Sequence, residues 1–304
     1  MSATELLEIL KPKASPFRLI RIGGFEDGAY LLPDDLEGIQ ACFSPGVYRY
    51  KPFEDILARK YRIRSHLCDR SVSEDDLQTS LIPGWQTFEK LWLDIDGRSD
   101  SITLTDWVER HCPDSNADLL LQMDIEGAEY RNLNSTPRAI LERFRIIVIE
   151  LHGLAALADR QQAEEQIGPL LRRLDQTHVC VHAHPNNSQG DFIDQDTGMN
   201  VPRLLELTWL RRDRFTAGPE QRLFHPLLPH PLDLASNVGP QRPALHLNEA
   251  WLAGGRRDHR SRLKMAYDRH LHPLRLAARH AVAKRLKTSP RGRQLVSRLK
   301  SLRG

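Results

Sequence analysis

The stretch LLLQMDIEGAEY, residues 119–130, decides the fold of this chain. Its first five residues are mostly apolar, which is typical of a strand buried on both faces of a parallel sheet. Asp124 follows directly after this strand, and Gly127 allows the chain to turn into a helix. Glu126 and Glu129 fall in the first turn of that helix, where acidic residues commonly favour the helix dipole. We therefore assign chemistry to Asp124 and a structural role to Glu129.

Short apolar runs and helical patterns alternate on both sides of this stretch, from residue 39 to residue 215. This alternation predicts βαβ units and therefore a doubly wound α/β sheet. The predicted strands are 40–44, 64–69, 86–93, 118–124, 145–151, 179–182 and 204–210. The predicted helices are about 53–61, 103–111, 128–143 and 159–174.

Polar residues at the carboxyl ends of these strands are the site candidates, because ligands of open α/β sheets bind there. Gly46 lets the backbone approach a ligand closely, but SPGVY at 44–48 lacks the three glycines of a dinucleotide fingerprint. Asp69 ends the second strand, where a carboxylate can bind ribose hydroxyls or simply cap a helix. The remaining strand-end candidates are Ser44, Asp124, Glu150, His152, His184 and Asn187.

The run MDIEGAE, residues 123–129, resembles the signature of FkbM-type methyltransferases, and further segments occur in the family's order. They are RIGGFEDGAYLLPDDL (21–36), ACFSPGVYRYKPFEDILARKY (41–61), SITLTDWVERH (101–111), IIVIELHG (146–153), VHAHPNN (181–187), VPRLLELTWLRRD (201–213) and LPHPLDLASN (228–237). The resemblance covers roughly residues 18–240. It departs from many methyltransferases at 44–48, where the fuller glycine set is missing.

The resemblance implies a Rossmann-like methyltransferase sheet, S-adenosylmethionine as cofactor, and O-methyl transfer to a sugar, glycan or similar hydroxylated metabolite. By position, Ser44, Gly46 and Glu54 would line the methionine side of the cofactor, and Asp69 its ribose. Glu54 can equally be an acid on a helix surface.

Methyl transfer to a hydroxyl needs in-line positioning and removal of a proton. His152 is the best general-base candidate because an imidazole titrates near neutrality, and Asp124 would orient it or bind the acceptor hydroxyl. Alternatively, Asp124, Glu150, His152 and His184 converge on a divalent cation that lowers the pKa of the hydroxyl.

Acceptor binding is assigned to Glu150, His184 and Asn187. A simpler reading leaves His184 hydrogen-bonded within its loop, and gives Asn187 the turn that its residue type favours.

Charge divides the chain into a body and a tail. Residues 256–304 contain sixteen Lys and Arg against two acids, whereas the whole chain has a net charge of only +3. We predict an N-terminal segment (1–17), a methyltransferase domain (18–218), a Pro- and His-rich extended segment packed on it (219–255) and a basic helical tail (256–304). Such asymmetry suggests that body and tail have different partners.

Three interpretations of the tail remain open. It is a solvated extension, a helix on an anionic membrane surface with Leu295, Leu299 and Leu302 opposite basic residues, or a nucleic-acid-binding segment. The last is disfavoured, because the tail has a single aromatic residue, Tyr267, and the body is acidic.

Composition favours the cytoplasm, with the inner membrane face as a peripheral location if the tail binds lipid. No basic start followed by an apolar run marks a signal peptide, and the cysteines, at 42, 68, 112 and 180, form no CxxC pair. The rival functions are a nicotinamide-dependent oxidoreductase on a similar sheet, which the missing glycine fingerprint disfavours, and a non-catalytic, membrane-associated interaction protein.

Overall fold

A computed structural model describes residues 3–24, 28–215, 222–234, 243–253, 255–272 and 274. The strands within them are β1 (Leu19–Ile22), β2 (Tyr30–Pro33), β3 (Ala41–Pro45), β4 (Arg64–Cys68), β5 (Gln86–Glu89), β6 (Trp92–Leu93), β7 (Ser101–Ile102), β8 (Leu119–Met123), β9 (Phe144–Leu151), β10 (His178–Pro185), β11 (Asp191–Ile193), β12 (Asn200–Pro202) and β13 (Leu205–Arg211). The α-helices are α1 (Ala3–Leu10), α2 (Pro52–Ile56), α3 (Leu104–His111), α4 (Glu129–Ser135), α5 (Arg138–Leu141), α6 (Arg160–Gln162), α7 (Gly168–Thr177) and α8 (His259–His270).

A seven-stranded sheet forms the centre of the molecule, in the order β10-β13-β9-β8-β3-β4-β5. The pairs β9–β8, β8–β3, β3–β4 and β4–β5 are parallel, and β13 runs antiparallel to both of its neighbours. This large, mostly parallel sheet confirms the predicted α/β class and is consistent with a Rossmann-like methyltransferase fold.

Both faces of the sheet are covered, as the apolar strands require. One face packs its buried side chains against α1, α3 and α7, where Phe43 meets Trp107 edge-on at a centroid distance of 5.1 Å. The other face lies under the β1–β2 hairpin and α2, with Tyr30 edge-on to Phe53 at 5.8 Å. The site must therefore lie at an edge of the sheet rather than on a face.

The strand order reverses between β3 and β8, which defines the edge where a ligand crevice is expected. From β3 the chain adds β4 and β5 on one side, and it then returns to add β8 and β9 on the other. The carboxyl ends of β3 and β8 thus carry the loops that begin the two halves of the sheet.

Several predicted elements divide in the structure. The predicted helix 128–143 becomes α4 and α5, because Pro137 lacks the N–H group that would continue α4. The predicted strand 86–93 becomes β5 and β6, separated by a tight turn in which the Leu91 N–H donates to the Glu89 carbonyl. The predicted helix 159–174 runs on to Thr177 as α6 and α7, with a π-helical segment, Ala163–Ile167, between them.

The segments after the sheet return to the body. Ser15 and Phe224 exchange backbone hydrogen bonds of 2.9 and 2.7 Å. The buried indole of Trp251 donates to the Asn200 carbonyl at 2.8 Å. The domain boundaries stay predictions, and the helical pattern predicted beyond residue 274 lies outside the described residues. Within the described residues, none of the helices is both long enough and apolar enough to cross a bilayer.

Candidate active site at the carboxyl edge of the sheet

The loops after β3 and β8 touch at Gly46. Its φ of +85° suits glycine, and a Cβ atom added there would lie 1.6 Å from the carbonyl oxygen of Asp124. Gly46 is therefore required by contact with the backbone of a predicted catalytic residue, whatever ligand the loop also meets.

His152, directly after β9, faces a group of carboxylates. Its Nδ1 lies 3.2 Å from Glu129 Oε1, and its Nε2 lies 3.3 Å from Glu126 Oε2 and 4.0 Å from Asp124 Oδ1. The His152 side chain is 12% exposed and that of Asp124 is 26% exposed. The structure thus brings together the two predicted catalytic residues at a partly accessible point of the sheet edge.

The imidazole of His152 has a raised pKa. Burial, the largest effect, disfavours the imidazolium, but the hydrogen bond with Glu129 and the charges of Glu129, Asp124 and Glu126 outweigh burial. The direction of this shift makes His152 a stronger base than an isolated imidazole.

The sequence predicted only a structural role for Glu129. Its side chain is fully buried, and Oε1 also accepts hydrogen bonds from the N–H groups of Ile125 (3.0 Å) and Gly127 (3.2 Å). Oε2 is buried with no hydrogen-bond partner among the described residues. A signal was present, since Glu129 precedes the apolar Leu133 by four residues and therefore shares its buried helix face.

Ser44 and Glu54 form a second polar group beneath the β3–α2 loop. The Ser44 hydroxyl bonds to Glu54 Oε1 and to Gln122 Oε1, and both Ser44 and Glu54 are buried. Burial, the largest effect, raises the pKa of Glu54 to about 7, although the Ser44 hydrogen bond acts to lower it. Glu54 is therefore not a helix-surface acid.

Asp69 lies at the start of the loop after β4 and is almost buried. Its Oδ2 accepts from the Tyr48 N–H at 2.7 Å, and its Oδ1 accepts from the N–H and hydroxyl of Ser71 at 2.8 and 2.6 Å. Because a carboxylate has about four acceptor positions, one remains for another donor.

Glu150 and His184 belong to a different group, built across the antiparallel part of the sheet. Glu150 is paired with Glu206, and Glu206 with His184, so the three side chains lie side by side on one face. Asn186 donates to Glu150 at 2.8 Å. Sequence reasoning missed Glu206, because its position depends on the register of β13.

Asp233, from the segment after the domain, closes this group. Its buried carboxylate lies 3.0 Å from His182 Nε2 and 3.6 Å from His184 Nδ1. Burial acts to raise the pKa of Asp233, but the two imidazoles lower it well below its ordinary value. Asn187, the remaining predicted residue, donates to the Pro243 carbonyl at 3.3 Å.

The structure therefore separates the four residues predicted to share a cation. Among the described residues, the group with metal-compatible spacing is Asp124, Glu129 and His152, whose ligand atoms lie within 4.8 Å of one another. Glu150 and His184 do not belong to it. Glu129 takes their place beside the two catalytic candidates.

A mostly parallel sheet with polar groups gathered at its carboxyl edge is consistent with a Rossmann-like methyltransferase fold. Residues 98–177 match the family model of the methyltransferase FkbM domain, which confirms the resemblance predicted from the sequence. The matched segment contains Asp124, Glu129 and His152, and the match supports the prediction that the protein is a methyltransferase. No curated protein matches the chain significantly.

Proposed function

We propose that this protein transfers the methyl group of S-adenosylmethionine to a hydroxyl of a sugar, glycan or similar metabolite. The observation that carries this proposal is the His152–Glu129 contact of 3.2 Å. It directs Nδ1 of the imidazole at a buried carboxylate, so that Nε2 is on the side of Asp124 and the exposed Glu126, in the loop after β8. A base held in this way is suited to take a proton from a bound hydroxyl.

The reaction needs little more than alignment and one proton transfer. The acceptor oxygen forms a bond to the methyl carbon, while the carbon–sulfur bond breaks and its electron pair stays on sulfur. The hydroxyl proton passes to Nε2 of His152. Asp124, Glu126 and Glu129 surround this imidazole, and their negative charge stabilises the imidazolium that forms in the reaction. The same charge helps to bind the positively charged cofactor.

The cofactor fits the loops around Gly46. Asp69 retains acceptor capacity for a ribose hydroxyl, as its three hydrogen bonds leave one position open. Ser44 and Glu54 are buried and bonded to each other, so we propose that they shape the β3–α2 loop from beneath. Gly46 then holds this loop against Asp124.

The side chains of Glu150, Glu206 and His184, beside His152, favour an acceptor with several hydroxyl groups. Glu150, Glu206 and His184 form a row of hydrogen-bonding side chains on the strands beside His152. Carboxylates accept hydrogen bonds from hydroxyl groups, and an imidazole can accept or donate one, so the row fits a sugar better than an apolar acceptor. This row supports the acceptor-binding roles proposed for Glu150 and His184, and Asn187 lies in the loop that follows.

A divalent cation is a second candidate for the same place. Asp124, Glu129 and His152 offer two carboxylates and one imidazole at compatible spacing, and the unpartnered Oε2 of Glu129 is a further acceptor. A bound cation would lower the pKa of the acceptor hydroxyl. Calorimetric titration with Mg²⁺ or Mn²⁺, and activity before and after chelation, test this alternative. Heat of binding that persists in Glu129→Gln, or activity that is unchanged by chelation, rules it out.

Binding and activity measurements together test the main proposal. Isothermal titration should show binding of S-adenosylmethionine and S-adenosylhomocysteine but not of nicotinamide dinucleotides. With saturating cofactor and a panel of sugar acceptors, His152→Ala should lose methyl transfer, whereas the exposed His225→Ala serves as a matched control. Nicotinamide binding without S-adenosylmethionine binding would replace the proposal with the oxidoreductase, and unchanged turnover in His152→Ala would remove His152 as the base.

A further inference from the structure

Helix α8 has one face that packs on the body and one face that does not. Ser261 and Asp268 are buried, and Asp268 is paired with Lys264 at 2.5 Å and lies 3.7 Å from His246. The burial of Ser261 and Asp268 and the contact of Asp268 with His246 define the inner face of α8, whereas the Lys264–Asp268 pair lies within the helix.

The outer face combines leucines with basic residues. Leu263 is 57% exposed, and Leu271 and Leu274, just beyond the helix, are 55% and 67% exposed. Arg262 and Arg269 are exposed and form no ion pair with any described residue, whereas Arg260 is paired with Asp258 at 3.1 Å. We call Arg262, Leu263, Arg269, Leu271 and Leu274 the outer face.

The sequence continues the same chemistry. Residues 275–304 add ten Lys and Arg and no Asp or Glu. Positive charge alone would favour binding to any polyanion. The exposed leucines between the arginines, however, gain no free energy from contact with a nucleic-acid phosphate backbone in water. They gain free energy when they enter the apolar layer beneath anionic lipid headgroups.

Helix α8 is linked to the proposed acceptor group through its inner face, by way of His246. Asp268, on the inner face of α8, lies 3.7 Å from His246, and the charge of His184 contributes to lowering the pKa of His246, although burial is the largest cause. We propose that the outer face of α8 binds the surface of an anionic lipid bilayer. Binding there would hold the body of this protein, on which α8 packs, against the headgroup layer.

Vesicle sedimentation of the full chain tests this proposal without any methyl-transfer assay. The vesicles contain either phosphatidylcholine alone or phosphatidylcholine with about one third phosphatidylserine. The protein should pellet with the anionic vesicles only, and less so as salt is raised, because screening weakens headgroup attraction. Equal pelleting with both kinds of vesicle overturns the proposal.

Two variants separate the outer face from the rest of the basic tail. Arg262→Ala with Arg269→Ala should lower vesicle binding by about 10- to 30-fold, at roughly fivefold per basic residue. Leu263→Ser with Leu271→Ser should also lower it, whereas Arg59→Ala with Arg160→Ala, which removes two exposed charges elsewhere, should not. Wild-type binding by both outer-face variants, or binding to a nucleic acid but not to vesicles, overturns the proposal.

Discussion

Replacing Gly46 with alanine tests whether the contact between the two loops builds the site. The added Cβ atom would lie 1.6 Å from the Asp124 carbonyl oxygen, whereas a carbon–oxygen contact needs about 3.3 Å. The loops after β3 and β8 must therefore separate by about 1.7 Å. That movement is large compared with the tolerance of a catalytic arrangement, in which a displacement of about 1 Å can cost a hundredfold in rate.

The expected result has a stability part and an activity part. Alanine in the left-handed region costs about 1–2 kcal/mol, and forcing the loops apart adds about 1–3 kcal/mol. Gly46→Ala should therefore lose roughly 2–5 kcal/mol of unfolding free energy in urea and at least about 100-fold in methyl-transfer rate. Binding of S-adenosylmethionine should weaken as well.

Gly84→Ala is the matched control. Gly84 has a φ of +76°, close to that of Gly46, but no atom lies within 4 Å of the Cβ position. It should lose only the conformational part, about 1–2 kcal/mol, and keep its activity. If Gly46→Ala lost no more stability than Gly84→Ala and kept full turnover, the contact between the two loops would not define the site.

Three further substitutions probe the charges of the three polar groups, one substitution in each. Glu129→Gln removes the main charge that raises the pKa of His152, so the acid limb of the rate–pH profile should move to lower pH and the maximal rate should fall by about 10- to 100-fold; an unmoved acid limb contradicts this. Glu54 has a pKa raised from 4.5 to about 7, so Glu54 holds its proton more tightly in the folded state than in the unfolded state. The stability that this proton contributes is lost as pH rises from 4.5 through 7. Between pH 4.5 and 7, the unfolding free energy of the wild type, measured in urea, should fall by on the order of 3 kcal/mol relative to that of Glu54→Gln. Parallel plots of unfolding free energy against pH for the two proteins would contradict this. Asp233→Asn leaves two buried imidazoles without their carboxylate and should lower unfolding free energy by about 3 kcal/mol, whereas the exposed Asp196→Asn should change it little.

The parts of the fold that sequence predicted are those that depend on local pattern. Buried parallel strands are continuous apolar runs, so β8 and β9 were recognisable, and so was the polar residue that follows each of them. Asp124 and His152 could be placed on one edge for that reason. The breaks at Pro137 and at the turn between Glu89 and Leu91 depend on where the chain must turn to reach its next partner. The sequence pattern therefore predicted one longer element at each place.

The parts that sequence did not predict depend on contacts between distant segments. The grouping of Glu150 with His184 required β13 to insert antiparallel between their strands, which places Glu206 between them. A shift of one residue in β13 would have turned Glu206 to the other face. Asp233 comes from a segment with no periodic pattern, so nothing in its composition identified the imidazoles that it would meet.

Glu129 shows how one residue can satisfy both a local and a distant requirement. A carboxylate in the first turn of α4 stabilises the start of the helix by accepting hydrogen bonds from the N–H groups of Ile125 and Gly127. The same oxygen lies 3.2 Å from His152, which follows β9. Because the helix start already accounts for an acid at this position, the sequence signal for burial, its place four residues before Leu133, does not by itself identify His152 as a second partner. Complete burial separates the two explanations, since a carboxylate that served only the helix dipole could remain in water at no cost.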